Sequence, residues 1–127
     1  MPTIAYMEGT DALTLTRLSA DGIGTMPVGN GFDNHGKFIS NLSERDEVDL
    51  LVGYLHKFLA TQRQGFFVED LLQSCRECHV PVLVLVPEPS QPSARRALAK
   101  VADIVTLVAP ELLYDEAAKR LGLSSHP

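Results

Sequence analysis

The chain has 127 residues, 45% of them hydrophobic and 21% charged, a composition typical of one globular domain. A net charge of −5 argues against nucleic acid or an anionic membrane as the main partner, because both require a basic face. The longest apolar run, VPVLVLVP at 80–87, is too short to span a membrane and suits a buried strand. With two cysteines and no signal-peptide pattern, we expect a cytoplasmic protein and no disulfide scaffold.

The first βα unit is predicted from a short apolar run followed by a capping residue. Residues 3–7 read as a strand, and the helix after them is capped by Asp11 or Thr10 and ends at Gly22. The threonines of this segment leave a hairpin strand as an alternative, because β-branched residues lose rotamer freedom in a helix. Residues 23–28 form a second, short strand.

A glycine- and asparagine-rich loop, 27–37, precedes the middle of the chain. The segment 32–47, which overlaps the end of this loop, predicts a second helix, whose inner face would carry Phe38, Ile39 and Leu42. VDLLVGYL at 48–55 is a third strand, apolar enough to be buried on both faces. Residues 55–65 are either a loop with one helical turn or a continuation of that segment.

The second half gives the clearest alternation of helix and strand. A helix is predicted over 66–79, because apolar residues recur at helical spacing: Phe67, Val68, Leu71, Leu72, Cys75 and Cys78. A strand at 80–86, a helix at 93–102 opening at Ser93, a strand at 103–109 and a helix at 111–122 follow.

Alternating βα units predict one α/β domain over 1–127. We expect a three-layer α/β/α sandwich around a five-stranded parallel sheet, with the flavodoxin-like strand order 2-1-3-4-5.

The pentapeptide CRECH, from Cys75 to His79, matches the attachment motif for c-type haem. We expect no haem there, because both Cys75 and Cys78 extend the apolar face of a helix and thiols are often buried. A thioredoxin-like role is disfavoured too, since that cysteine pair opens a helix and this one closes it. Zinc would need a further ligand such as His35 or His56, which the sequence does not place nearby, so no metal site is predicted.

The order and spacing of strands and helices from residue 48 onward resemble those of the receiver domain of bacterial response regulators. A receiver has a buried third strand, a glycine before the next helix, a VPVLVL-type fourth strand, and a fifth strand that ends before a proline. Gly65 and Pro110 stand at the matching positions. The N-terminal half can be laid over the first strand, acidic turn and first helix, so the resemblance extends over nearly the whole chain.

The phosphorylation chemistry of a receiver does not carry over. Tyr54 replaces the phospho-acceptor aspartate, Val86 the Ser/Thr switch and Ala109 the lysine, and only Glu8 remains of the acidic pair that holds Mg²⁺. Phosphoryl transfer needs a nucleophile, a carboxylate-held metal and a cation on the phosphoryl oxygens. The resemblance therefore implies a pseudo-receiver, a phosphorylation-independent regulatory module that needs no cofactor and is not an enzyme.

In the receiver family the usual dimer face is formed by the fourth helix, fifth strand and fifth helix. The resemblance implies contact with a second copy or a partner protein through the side chains at the matching positions: Arg95, Arg96, Lys100, Tyr114, Asp115 and Lys119. Ordinary solvated helix faces would give the same charged pattern.

The residues also leave a ligand-binding function open. In parallel sheets ligands bind beyond the carboxyl ends of the strands, where the predicted loops hold Asp11, Gly29, Gly31 and His56. The alternative function is thus a small nucleotide-binding, stress-type α/β protein. However, GNGFDNHG at 29–36 matches neither the Rossmann nor the P-loop fingerprint and is typical of a turn.

A third interpretation is a hydrolase or transferase that uses His35, His56, Glu8 or Asp11. No Ser or Cys lies on a recognisable nucleophile elbow, and this interpretation is disfavoured.

Overall fold

The structure is a computed structural model that describes residues 2–62 and 65–123. In this part of the chain six parallel strands form one sheet: β1 (Thr3–Tyr6), β2 (Gly24–Gly29), β3 (Lys37–Phe38), β4 (Leu50–Tyr54), β5 (Val82–Leu85) and β6 (Val105–Val108). The helices are α1 (Ala12–Ala20), α2 (Leu55–Leu59), α3 (Val68–Leu71), α4 (Gln73–Glu77), α5 (Gln91–Ala97) and α6 (Leu113–Arg120). No helix among the described residues is long and apolar enough to cross a membrane.

The predicted α/β class with a parallel sheet is confirmed, but the five-stranded sheet of order 2-1-3-4-5 is wrong. The observed order is β3-β2-β1-β4-β5-β6. The additional strand, β3, is an edge strand of two residues that pairs Lys37 with Val28 and Phe38 with Gly29. Phe38, predicted within a helix, is thus the last residue of this additional strand.

Local hydrogen bonding explains why no α-helix forms after β3. Two single-turn 3-10 helices, Ile39–Asn41 and Glu44–Asp46, are separated by two extended residues, Leu42 and Ser43. The Ser43 amide donates to the Asp46 carboxylate at 2.8 Å. Short polar side chains that bond nearby backbone groups favour turns over helix interiors.

Helix α1 forms as predicted, with Asp11 as its cap. The Asp11 carboxylate accepts hydrogen bonds from the Thr14 amide at 3.0 Å and from the Thr14 hydroxyl at 2.7 Å. Gly22 has a φ of +91°, which glycine adopts without steric cost, and it follows the last turn of the helix. The cap therefore outweighs the low helix propensity of the threonines.

The predicted 66–79 helix is two short helices, α3 and α4, with Leu72 between them in a non-helical conformation. Phe67 precedes α3 and is 45% exposed, so its predicted place on the inner face is wrong. Likewise α5 begins after Ser90 rather than Ser93, and a 3-10 turn, Ala99–Val101, follows it.

Each face of the sheet carries its own layer of helices. Ile4, Leu50 and Leu83 point to one face and belong to the same buried cluster as residues of α1 and α6. Their neighbours along the strands point to the other face, where the cluster includes residues of α2, α3, α4 and α5. This alternation makes three layers, as predicted.

Candidate functional site

The four receiver-like positions all lie at the carboxyl edge of the sheet. Glu8 follows β1, Tyr54 is the last residue of β4, and Val86 and Ala109 directly follow β5 and β6. Val86 and Ala109 are 1% and 6% exposed, and neither side chain has a polar atom. Of these four residues, Glu8 alone carries a carboxylate.

Glu8 is neutralised by a lysine that the sequence had not indicated. Lys57, in α2, places its Nζ 2.6 Å from Glu8 Oε1 and 3.3 Å from Asp33 Oδ2. The Lys57 hydrogen bond holds the pKa of Glu8 below its usual value, and the same bond raises the pKa of Lys57. At neutral pH the amine is thus a charged partner for carboxylates and not a free nucleophile or base.

Asn30 fastens the loop that carries Asp33. Its side chain is fully buried; Nδ2 donates to the Lys57 carbonyl at 2.9 Å and Oδ1 accepts from the Phe32 amide at 2.9 Å. A second anchor is His35, whose Nδ1 lies 2.9 Å from the Val28 carbonyl. The loop between β2 and β3 is thus held against α2 and the sheet.

The glycines of this loop serve backbone packing. A Cβ on Gly29 would lie 2.8 Å from the His35 carbonyl oxygen, and one on Gly36 would overlap the Pro27 carbonyl oxygen. Gly31 has a φ of +93°, with the Phe38 ring 3.0 Å from an added Cβ. These contacts explain why glycine occupies the three positions, and no bound phosphate is needed to explain it.

The residues of the predicted ligand crevice lie in different surroundings. Asp11 caps α1, and its bonds to Thr14 hold the pKa of its carboxyl below the usual value. His56 lines a pocket of about 450 Å³ beside α2, with its ring centroid 6.0 Å from that of Tyr54. Gly31 lines a separate pocket.

That separate pocket, which we call the phenylalanine pocket, lies beyond the carboxyl ends of β2 and β3. It has a volume of about 700 Å³ and is lined by three phenyl rings, those of Phe32, Phe38 and Phe66. Its polar lining residues are Asn30, Ser40 and Asp70. The sequence predicts Phe38 on the inner face of a helix; the available signal for the pocket was one phenylalanine within the Gly/Asn loop, Phe32, and another directly after it, Phe38.

The second surface of interest flanks the edge strand β6. Arg95 lines a groove of about 380 Å³ between α5 and β6. Arg96, Lys100, Asp115 and Lys119 are exposed.

Tyr114, predicted on the same surface, contacts Arg17 of α1 and Asp21, which follows that helix. The Arg17 guanidinium lies 3.6 Å from its ring centroid and its hydroxyl donates to Asp21. That hydrogen bond raises the pKa of Tyr114.

The CRECH cysteines belong to the core. Cys75 is fully buried, and burial raises the pKa of its thiol to about 12. Cys78 is partly buried and packs against the same cluster. Within 2–62 and 65–123, no group of three or more His, Cys, Asp or Glu side chains is placed to hold a metal ion.

Comparison of the chain with protein-family models, with curated proteins and with solved structures gives no match. The fold and the site geometry are therefore the observations on which a function can be built.

Proposed function

We propose that the protein is a receiver-like module that acts by association of two copies through the face formed by α5, β6 and α6, without phosphoryl transfer. The observation that carries the proposal is the groove of about 380 Å³ beside β6, because it leaves apolar side chains accessible along an edge strand.

The edge strand itself is suited to contact. Within the described residues β6 pairs only with β5, so its other side offers unpaired backbone groups. Val105, Thr106 and Leu107 are all partly exposed, and Leu98 and Ala102 continue the groove on the α5 side. Apolar surface on an exposed edge is a common site of chain association.

Opposite charges flank this strand and favour a second copy as the partner. Segment 91–102 carries three basic side chains, Arg95, Arg96 and Lys100, and no acidic one. Segment 111–120 begins with the acidic residues Glu111 and Asp115. If the two copies are related by a two-fold axis parallel to β6, the basic α5 of one copy lies against the acidic start of α6 of the other. The symmetry then repeats this contact, so the dimer contains it twice.

A charge-reversal pair tests this arrangement. One variant carries Arg95→Glu and Arg96→Glu, and the other carries Glu111→Lys and Asp115→Lys. Each alone places like charges across the interface, so the dimer dissociation constant should rise about tenfold or more. An equimolar mixture restores opposite charges at both contacts, and sedimentation velocity should again detect a dimer.

Glu44→Lys with Glu47→Lys is the matched control for the second variant, since it changes the net charge by the same amount and sign at exposed residues distant in sequence from this face. The proposal fails if the wild-type protein stays monomeric at all concentrations, or if the mixture stays monomeric while the wild type dimerises. Association of both reversal variants with wild-type affinity would place the interface elsewhere.

The absence of phosphoryl transfer is tested separately by an amide NMR titration with Mg²⁺ and beryllofluoride, which mimics a phosphorylated carboxylate. Since Lys57 already pairs with Glu8, and Tyr54 ends β4, we expect no shifts around these residues. Saturable shifts at Glu8, Tyr54 and Val86 would contradict a phosphorylation-independent module.

A further inference from the structure

We propose that the phenylalanine pocket binds an unphosphorylated planar aromatic molecule carrying an amino or N–H donor, such as a nucleoside. This site lies beside β2 and β3, at the opposite edge of the sheet from β6, and the inference is independent of self-association.

The size and the rings of the pocket favour a flat ligand. A volume of about 700 Å³ is within the range of small-molecule sites. Phe38 and Phe66 lie with their ring centroids 6.0 Å apart at an interplanar angle of 47°, so they form an inclined apolar wall. Phe32 is 61% exposed at the rim and can cover the outer face of a bound ring.

A buried hydroxyl supplies an unused polar contact. Ser40 lines the pocket, and its Oγ, buried without a hydrogen-bond partner among the described residues, reaches a ligand only after rotation about the Cα–Cβ bond. Leaving a buried polar atom unpaired is costly, and a ligand atom that bonds it removes that cost. Asn30 differs, because both ends of its amide are already bonded within the protein.

The charges at this edge select against a phosphate. Asp70 is exposed at the pocket and has one carboxylate oxygen, Oδ2, that accepts from the Phe67 amide at 3.3 Å, which leaves Oδ1 available for a donor on the ligand. Two nearby lysines of the described chain already have carboxylate partners: Lys57 pairs with Glu8, and Lys37 pairs with Asp46. A carboxylate facing the ligand favours an amino group over an anion.

Adenosine, purine riboside and AMP form a matched series of probes, titrated into the wild-type protein and followed by amide NMR. Purine riboside lacks the exocyclic amino group, and AMP adds a phosphate. We expect saturable shifts at Gly31, Phe66 and Asp70 with adenosine, and dissociation constants several-fold higher for the two analogues. No saturable binding at millimolar adenosine overturns the site. Equal affinity for purine riboside overturns the donor contact, and tighter binding of AMP overturns the selection against phosphate.

Two variants assign the binding to the pocket. Phe32→Ala should weaken adenosine binding about tenfold, because stacking on one aromatic side chain is lost. Leu13→Ala is its control, since Leu13 is 75% exposed on α1, away from the pocket. Ser40→Ala should weaken binding several-fold while leaving thermal stability unchanged or higher, since it deletes an unpaired buried hydroxyl. Wild-type affinity in both Phe32→Ala and Ser40→Ala would refute the assignment.

Discussion

Asn30 offers the most direct test of how the carboxyl edge is assembled, because one side chain bonds two segments that are distant in sequence. Asn30→Ala removes the bond to the Lys57 carbonyl and the bond to the Phe32 amide. Each such bond contributes about 1 kcal/mol net, and a backbone group left unpaired in a buried site adds to the loss. We expect the free energy of unfolding to fall by about 2–3 kcal/mol.

Asn30→Asp separates the two bonds. The carboxylate keeps the acceptor for the Phe32 amide but cannot donate to the Lys57 carbonyl while ionised. Hydrogen exchange at the Phe32 amide should therefore stay slow in this variant and become faster in Asn30→Ala. Burial raises the pKa of the introduced carboxyl, so the stability difference from wild type should shrink at acidic pH, where the protonated group can donate again.

The assay is urea unfolding of the wild type and both variants, with hydrogen exchange read by NMR. Asn41→Ala is the control, because Asn41 is exposed and such substitutions stay within about 0.5 kcal/mol. If Asn30→Ala unfolds with the same free energy as Asn41→Ala, the two hydrogen bonds do not stabilise the edge, and the reasoning is refuted.

Two further predictions follow from the shifted pKa values. Hydrogen bonds hold the pKa values of Glu8, Asp11 and Asp46 below their ordinary values of 4.5, 3.8 and 3.8. The stability that these carboxylates supply is therefore present above the ordinary pKa values, and it is lost as the pH falls through the lowered pKa values of the folded protein. Thermal unfolding should show this acid loss, with a smaller dependence in Glu8→Gln; an unchanged profile would contradict the Lys57 pairing. For the thiols, Ellman's reagent should react with Cys78 in the folded protein and with Cys75 only after denaturation, because Cys75 is buried with a pKa near 12. A fast reaction that persists in Cys78→Ser would show that Cys75 is accessible.

The sequence by itself predicted the elements whose signal is local. The runs LLVGY and VLVL are so continuously apolar that they must be buried on both faces, and both are central strands. The Asp11 cap and Gly22 predicted the ends of α1. Because strand ends were predicted closely, the carboxyl-edge positions of Glu8, Tyr54 and Val86 could also be predicted.

Only the tertiary structure decided the contacts between segments distant in sequence. Lys57 pairs with Glu8 and Asp33, and Tyr114 bonds Asp21 at the end of α1, although nothing in the local pattern pairs these residues. The 37–47 segment has apolar residues at helical spacing, yet backbone pairing of β3 with β2 and local Ser–Asp bonds outweigh helix propensity. Helix and turn signals act over a few residues, whereas a strand's partner and a pocket's lining depend on which surfaces the whole chain brings together.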